Sequence, residues 1–342
     1  MTLYPLFRSL LFKLDPEQAH RLTLDLIRLA GSIQPVSWFL RQLYSVPEQP
    51  VQAFGLKFKN PIGLAAGYDK DGMGWRGLAC LGFGHIEIGT VTPKPQPGNP
   101  RPRIFRLPLD KALINRMGFP GLGQEYVKNE IIKPRPQNLV LGVNIGKNKD
   151  TPLESAETDY LELLKSFSPY ADYLTINISS PNTVGLRRLQ ERQALTRLLG
   201  QLIEERERLA ESISKKPPLL VKLAPDLSDS ELEDILEVCL ANKLDGVIAT
   251  NTTLSREGVK SQLCSENGGL SGQPLFHRSL EMVGKINALT GGRLPVIGVG
   301  GIFNATGVQK MLDAGAVLVQ VYTGLIYEGP GLVKSALQEL RH

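Results

Sequence analysis

Residues 177–187 form the densest group of chemically useful side chains in the chain, reading Asn-Ile-Ser-Ser-Pro-Asn-Thr-Val-Gly-Leu-Arg. They overlap the end of a short apolar run at residues 173–178, which predicts a buried strand. Amides and hydroxyls at the C-terminal end of such a strand lie where a parallel sheet or barrel opens to ligand. The segment alone leaves two interpretations open: a binding site, or a surface turn rich in Ser, Asn and Pro.

The polar residues that follow the other apolar segments belong to the same chemical set. It comprises lysines, amides, hydroxyls and glycines, among them Lys70, Asn144, Lys222 and Asn251. No His, Asp and Glu residues have the spacing of a metal site, so we expect no metal. Amides offer both donors and acceptors, which match the edges of a flavin or a pyrimidine. The set therefore predicts a bound cofactor that supplies redox chemistry while the protein supplies placement.

Eight apolar segments alternate with eight helix-like segments, which predicts an α/β fold of the (β/α)8 TIM-barrel type, with an open doubly wound sheet as the alternative. The predicted strands are residues 62–66, 85–89, 139–143, 173–178, 219–223, 246–249, 296–299 and 317–321. The predicted helices are residues 75–81, 123–132, 155–166, 192–212, 228–241, 275–289, 305–313 and 332–340. The glycine-rich turn at 298–301 and the segment 322–324 follow the last two strands, where barrels commonly hold a phosphate.

Three further segments do not belong to this alternation. The long connections 92–119, rich in proline, and 252–274 follow strand ends, so we expect both to rise over the catalytic face. Residues 51–54 and 56–58 predict a hairpin that closes the bottom of the barrel. These assignments divide the chain into an N-terminal helical segment, residues 1–46, and a catalytic barrel, residues 47–342.

The N-terminal segment predicts a pair of amphipathic helices. Ala19, Leu22, Thr23, Leu26, Ile27 and Ala30 share one helical face, and a second apolar cluster with Arg8 and Lys13 lies upstream. Two interpretations are open. The apolar face packs on the protein's own barrel, or it rests in a membrane interface.

Composition excludes several other classes of function. The net charge of +5 is spread along 342 residues without a basic run interleaved with aromatics, so nucleic-acid binding is not expected. Three widely spaced cysteines form neither a disulfide framework nor a metal-ligand pattern, which favours a reducing compartment. No apolar run approaches the roughly 18 residues of a membrane-spanning helix.

A series of ordered motifs resembles the dihydroorotate dehydrogenases, specifically the membrane-associated, quinone-reducing class 2. The resemblance runs nearly end to end, and its motifs are Asp15-Pro16-Glu17-Gln18-Ala19-His20, Gly63 through Gly72, Asn115-Arg116-Met117-Gly118-Phe119, Asn144 through Asn148, the segment 177–187, Val221 through Asp226, Gly269-Leu270-Ser271-Gly272 and the turn 298–302. It implies oxidation of dihydroorotate to orotate, in pyrimidine biosynthesis, with FMN taking the hydride and a membrane quinone taking the electrons. Ser180 matches the catalytic base, where class 1 enzymes carry cysteine.

The resemblance also assigns the binding residues. Thr183 and Phe119 match positions around the proton route from Ser180. Substrate positions are matched by Lys70, Asn115, Arg116, Met117, Gly118, Phe119, Asn177, Asn182, Asn251 and Thr252. Flavin positions are matched by Ala66, Gly67, Tyr68, Asp69, Lys70, Thr90, Asn144, Asn177, Lys222, Thr250, Gly272, Gly301, Tyr322 and Thr323. The quinone approach is matched by His20, Arg106 and Tyr322.

Three rival functions remain open on the sequence. One is a soluble class 1 type of dihydroorotate dehydrogenase that uses fumarate or NAD, against which Ser180 and the apolar N-terminus argue. The second is a phosphate-binding barrel lyase with Lys70 or Lys222 as a Schiff-base amine. The third is a barrel that binds a metabolite without catalysis. The class 2 interpretation also implies a peripheral position on the cytoplasmic face of the inner membrane, if the source is bacterial.

Overall fold

The computed structural model describes residues 4–46 and 48–340. The strands in chain order are β1 (Val51–Ala53), β2 (Leu56–Phe58), β3 (Ile62–Leu64), β4 (His85–Val91), β5 (Ile104–Leu107), β6 (Ala112–Asn115), β7 (Val140–Ile145), β8 (Tyr173–Asn177), β9 (Leu219–Leu223), β10 (Gly246–Ala249), β11 (Gly269–Gly272), β12 (Val296–Val299) and β13 (Ala316–Val321). Strands β3, β4, β7, β8, β9, β10, β12 and β13 pair in parallel and close into a barrel. The predicted (β/α)8 barrel is confirmed.

Helices surround the barrel and precede it. In chain order they are α1 (Tyr4–Leu11), α2 (Pro16–Ser32), α3 (Gln34–Leu43), α4 (Trp75–Leu78), α5 (Gly123–Ile131), α6 (Ala156–Phe167), α7 (Arg192–Ile213), α8 (Asp229–Ala241), α9 (Phe276–Thr290), α10 (Ala305–Asp313), α11 (Thr323–Glu328) and α12 (Leu332–Glu339). Barrel strands and outer helices differ from their predicted bounds by at most one or two residues, if the 3-10 turn at Ala79–Leu81 is counted with α4. The short helix α11 was not predicted.

The lower half of the barrel interior is apolar and tightly filled. Phe58, from the predicted β1–β2 hairpin, is fully buried against inward-facing residues of the barrel strands. Two glycines make room for aromatic rings in this layer. A Cβ on Gly63 would lie 2.1 Å from Nε2 of His85, and one on Gly142 would lie 2.2 Å from Cζ of Tyr173. The hairpin therefore closes the bottom of the barrel, as the sequence predicts.

The two long connections build a small antiparallel sheet at the opposite end of the barrel. Strand β6 pairs with β5 on one side and with β11 on the other. The sequence predicts that these connections lie over the catalytic face, but it did not predict their strands. The pairing of β6 with β11 joins Asn115 to Gly269, which are far apart in sequence, whereas β5 and β6 form a local hairpin within the first connection.

Three helices precede the barrel, whereas the sequence predicted two. Helix α3 was missed because a proline at its first turn and two aromatic residues interrupt the expected pattern. The predicted apolar face of α2 divides in two. Ala19 is buried, whereas Leu22, Leu26 and Leu29 are 44–57% exposed. Packing on the barrel and an outward apolar surface are therefore both present in one helix.

The outward side of α1–α3 is unusually apolar. It includes Leu6, Phe7, Leu10, Leu14, Leu22, Leu26, Leu29, Ile33, Val36, Trp38, Phe39 and Leu43, all well exposed. Within residues 4–46 and 48–340, no helix combines the length and hydropathy needed to cross a bilayer. We refer to this group of exposed side chains as the N-terminal apolar surface.

A close backbone approach holds α2 against the barrel. A Cβ placed on Gly77 of α4 would lie 2.0 Å from the carbonyl oxygen of Ile27. We expect Gly77→Ala to force α2 outward and to lower the free energy of unfolding by about 1–3 kcal/mol, as overpacking does. Urea denaturation and limited proteolysis of the N-terminal segment measure this effect.

The matched control is Gly200→Ala in α7, where no heavy atom lies within 4 Å of the added Cβ. This substitution should raise stability by about 0.5–1 kcal/mol because alanine favours a helix interior. Equal losses in both variants would contradict the proposed close packing at Gly77.

Candidate active site

A cavity of about 1110 Å³ lies at the C-terminal ends of the barrel strands. Its walls come from the barrel strand ends, from the antiparallel sheet above them and from the first turn of α11. The predicted site residues that line it are Ala66, Gly67, Lys70, Thr90, Asn115, Met117, Gly118, Phe119, Asn177, Ser180, Asn182, Lys222, Thr250, Asn251, Thr252, Gly272, Gly301, Tyr322 and Thr323. The fold therefore collects residues from across the sequence into one chamber.

Four of the predicted substrate and flavin residues lie outside this wall, and one of them, Tyr68, lines the second cavity described below. Asn144 is fully buried behind it and reaches the cavity through Thr90 and Asn177, both of which bond to its Oδ1. Asp69 accepts hydrogen bonds from the backbone of residues 73 and 74, so it fixes the loop after β3. Arg116 points away and pairs with Glu266 at 2.7 Å.

The predicted base, Ser180, is 5% exposed and faces the cavity. Its Oγ accepts a hydrogen bond of 3.2 Å from the backbone N–H of Asn182. The amide of Asn182 in turn donates to Oδ1 of Asn115, also at 3.2 Å. No hydrogen bond joins the Ser180 hydroxyl to a carboxylate or a histidine in the described part of the chain, so its proton is available to the cavity.

Lys70 supplies a positive charge to the same chamber. Its ammonium donates to the carbonyl of Gly67 at 2.8 Å. The pKa of Lys70 is lowered to about 8, because burial outweighs the opposing charges of Asp71 and Glu17 and the charge of Arg103 acts in the same direction as burial. Lys70 therefore remains mostly protonated at neutral pH and suits a carboxylate ligand.

A directional chain of amides starts at Glu87, which the sequence analysis missed. Glu87 accepts a hydrogen bond of 2.8 Å from Nδ2 of Asn144, so Oδ1 of Asn144 faces the other way. That oxygen accepts from Thr90 at 2.6 Å and from Nδ2 of Asn177 at 3.1 Å. Oδ1 of Asn177 then accepts from Asn251 at 3.3 Å. Because a carboxylate only accepts, Glu87 sets the direction of the whole chain.

Lys222 is the second buried cation of the chamber. It is 5% exposed, and within the described residues no carboxylate lies in ion-pair distance of its ammonium. Burial lowers the pKa of Lys222, while the charge of Glu87 raises it. A buried ammonium with no salt-bridge partner that lines a cavity is suited to an anionic or electron-rich ligand.

Glycines shape the floor at the end of β12. Gly300 and Gly301 have φ of +131° and +67°, which side chains rarely adopt. A Cβ on Gly301 would lie 2.6 Å from Cβ of Phe276, so the turn has no room for a side chain. The first N–H groups of α11, which begins at Thr323, lie beside this turn and have no partner within the helix. These backbone groups suit a phosphate.

A second cavity, of about 590 Å³, lies between α1, α2 and the barrel. The predicted quinone-site residues His20, Arg106 and Tyr322 line it together with Tyr68. Tyr322 also lines the first cavity, as do Ile104 and Leu113, so the two cavities adjoin at these three residues. Burial lowers the pKa of His20 to about 4, which leaves the imidazole neutral at neutral pH.

The N-terminal helices are tied to this region by polar contacts. Arg106 donates to the carbonyls of Leu11, at 3.0 Å, and Leu14. Glu17 pairs with Arg101 at 2.9 Å and with Arg103 at 2.7 Å. Helix α2 is therefore coupled to the proline-rich connection that covers the first cavity.

A family model described as "Dihydroorotate dehydrogenase" matches residues 50–342, which include every strand named above. The chain belongs to the dihydroorotate dehydrogenase family. The resemblance predicted from the motifs is thus confirmed. No group of three or more His, Cys, Asp and Glu side chains suited to a metal occurs among residues 4–46 and 48–340.

Relatives cover the N-terminal helices as well as the barrel. A protein named dihydroorotate dehydrogenase (quinone) from Paraburkholderia phymatum is 51% identical over 99% of this chain and 98% of its own length. One of the same name from Burkholderia cenocepacia (strain J2315) is 50% identical, over 99% and 97%. Because 99% of the chain is aligned, α1–α3 are shared with these proteins, although the family model starts only at residue 50.

Two solved structures support the same assignment. The dihydroorotate dehydrogenase of Eimeria tenella in complex with ferulenol has a TM-score of 0.84 and 41% identity, covering 95% of this chain and 90% of its own. The ligand-free type from the same organism has a TM-score of 0.82 and 42% identity, covering 91% and 93%.

Proposed function

We propose that the chain oxidises (S)-dihydroorotate to orotate, with FMN as hydride acceptor and a membrane quinone as final electron acceptor, in pyrimidine (UMP) biosynthesis. One observation carries this proposal most directly. A cavity that contains the polar residues Ser180 and Lys222 shares three wall residues, Ile104, Leu113 and Tyr322, with a second cavity beneath the N-terminal helices. Two adjoining cavities suit two half-reactions, namely reduction of the flavin by dihydroorotate and its reoxidation by the quinone. The names of the relatives favour quinone over fumarate or NAD.

The residues present fit a flavin mononucleotide. The glycine turn and the start of α11 suit its phosphate, and Lys222 suits the negative charge of the reduced ring. Oε1 of Gln320 is buried without a partner among the described residues, and Gln320 also lines the cavity. When bound, FMN supplies the hydride-accepting chemistry that the side chains lack.

The chain's own residues would hold the substrate and move a proton. Lys70 and the amides of Asn115, Asn182 and Asn251 would bind the carboxylate and the ring amides of dihydroorotate. Ser180 would take the proton from C5 while the hydride leaves from C6. A serine hydroxyl is a weak base, so the proton needs an onward route. Of the two residues predicted for that route, Phe119 lines the cavity. Thr183, three residues after Ser180, is buried but does not line the cavity.

Ser180→Ala tests both the function and the role of the base. We expect the variant to bind FMN and orotate but to reduce the flavin about 10²–10⁴-fold more slowly, because general bases contribute that much. Anaerobic stopped-flow bleaching of the flavin by dihydroorotate is the measurement. Ser180→Cys is the control and should retain more activity, since a thiolate can serve as the base. A wild-type protein that binds no flavin, or is not bleached, would refute the proposed function itself.

The pKa of Lys70 predicts how orotate binding depends on pH. The ammonium is present below its pKa of about 8 and is lost as pH rises through that value. Affinity for orotate should therefore fall about tenfold between pH 7 and pH 9. Titration of the flavin absorbance with orotate measures it. The Lys70→Arg variant keeps its charge over this range, so its affinity for orotate should be weaker than that of the wild type but independent of pH. A flat wild-type profile would show that Lys70 does not bind the carboxylate.

We further propose that α1–α3, within residues 1–46, associate with the membrane surface and guide quinone into the second cavity. The N-terminal apolar surface with Lys13 and Arg21 beside it supports this role, because interfacial helices combine exposed apolar area with basic residues. In a bacterium this is the cytoplasmic face of the inner membrane. The contacts of Glu17 and Arg106 mean that deleting the segment would also disturb the barrel.

A double substitution, Leu6→Gln with Leu10→Gln, is a cleaner test than deletion. Both side chains are more than 60% exposed, so stability and flavin reduction should not change. Binding to anionic vesicles should weaken at least tenfold, since each buried leucine contributes about 1.5–3 kcal/mol, and the KM for a long-chain quinone should rise. Leu289→Gln on the outer helix α9, 48% exposed, is the control. Equal vesicle binding in both variants would locate the membrane surface elsewhere.

A further inference from the structure

Glu87 lies at the centre of the barrel, and the proposed mechanism gives it no role. Its side chain is fully buried. Four donors converge on its two oxygens: Asn144 at 2.8 Å, Tyr173 at 3.0 Å, Gln320 at 3.0 Å and Thr175 at 3.2 Å. All four groups donate, which matches the inventory of a carboxylate, since it accepts at both oxygens and donates nothing.

The residues around Glu87 exclude water from its carboxylate. Below Glu87 lies the apolar layer closed by Phe58, in which Tyr173, Leu220 and Ile248 are all fully buried. Above it lies the wall of the first cavity, which a bound ligand covers. Hydrogen bonds from neutral groups only partly offset the cost of a buried charge, so an opposite charge is needed nearby.

Lys222 is the cation in the right place. It lies on β9 opposite Asn177 of β8, and Thr175, two residues earlier on the same face of β8, donates to Glu87. Gln320 also donates to Glu87 and shares the cavity wall with Lys222. Across the described residues, Glu87 is the charged group that acts on Lys222 and opposes the effect of burial on its pKa.

We propose that Glu87 is a positioning residue of the redox site, the countercharge that keeps Lys222 an ammonium at the wall of the first cavity. This inference rests on the proposed function, since it assumes that FMN occupies the first cavity. Glu87 does not touch the ligand and acts through Lys222. The charges of Glu87 and Lys222 cancel, but only Lys222 lines the cavity, so a ligand there meets the positive charge.

Removing the carboxylate has two consequences for the flavin. At low pH, where Lys222 is protonated, its charge becomes uncompensated and stabilises the reduced flavin more strongly. At higher pH, Lys222 without its countercharge gives up its proton while the flavin is oxidised and takes one up again on reduction. The midpoint potential of the flavin then depends on pH more steeply than in the wild type.

The experiment is spectroelectrochemical titration of the holoenzyme from pH 6 to pH 9, with wild type, Glu87→Gln and Thr175→Val compared. At pH 6 we expect the midpoint potential of Glu87→Gln to be more positive than that of wild type. Between pH 6 and pH 9 the potential of Glu87→Gln should fall more steeply with pH than that of wild type, because reduction of the variant takes up one additional proton per two electrons. Thr175→Val removes one donor to the same carboxylate but keeps the charge, so its profile should match wild type.

Two results would overturn the proposal. One is a Glu87→Gln profile that matches wild type at every pH. The other is a Thr175→Val shift as large as that of Glu87→Gln, which would make the effect one of packing. If Glu87→Gln does not accumulate as folded protein, Glu87→Asp carries the test. Because the aspartate side chain is one methylene shorter, its carboxylate should lie farther from Lys222. The pH profile of the midpoint potential should then shift in the same direction as in Glu87→Gln but by a smaller amount. An unshifted profile would overturn the proposal.

The wild-type protein separates this inference from the proposed function. If dihydroorotate bleaches the wild-type flavin and Glu87→Gln leaves the potential unchanged, only the role of Glu87 fails. If the wild type binds no flavin, both the function and the role of Glu87 fail.

Discussion

The burial of opposite charges inside a closed barrel is the constraint on which the site depends. Glu87 and Lys222 lie buried in a space that the hairpin closes from below, and Asn144, Tyr173, Thr175 and Gln320 all donate to Glu87. A buried polar network of this kind stabilises only when its members are all satisfied, and then it holds side chains in one arrangement. The amides of Asn144 and Asn177 therefore face the cavity in fixed orientations before any ligand arrives, which is the preorganisation that catalysis requires.

The cover of the site depends on a second set of contacts, which come from outside the barrel. Arg103 binds Glu17 of α2 and also donates to the backbone carbonyls of Pro97, at 2.6 Å, and Asn99, at 2.9 Å. Asn99 donates to the backbone carbonyl of Asn182 at 3.3 Å. A continuous series of bonds thus leads from the N-terminal helices to Asn182, a residue of the first cavity. The two half-sites share more than the ring of Tyr322, because the same helix that borders one cavity also steadies the cover of the other.

The sequence predicted the barrel well because its strands are buried on both faces and leave uninterrupted apolar runs. It failed for the small antiparallel sheet, in which β11 pairs with β6 across much of the chain and β5 pairs with β6 as a local hairpin within the proline-rich connection. Most predicted site residues meet in one cavity, but their individual roles came from family motifs and remain predictions. Glu87 was missed because a carboxylate within a strand pattern reads as an irregularity. Its partners Tyr173, Thr175 and Gln320 lie on other strands, so only the closed barrel reveals that the position is central.

The contacts of α1 join the two ends of the chain. The hydroxyl of Tyr4 donates to the carbonyl of Ile326 at 2.7 Å, and Arg8 donates to that of Tyr327 at 2.6 Å. Both acceptors belong to α11, which is among the last elements to leave the ribosome, whereas α1 is the first. During synthesis α1 is therefore without these acceptors until the segment that contains α11 has been made. Ile326 also lines the second cavity, so this cavity is completed only when α11 folds.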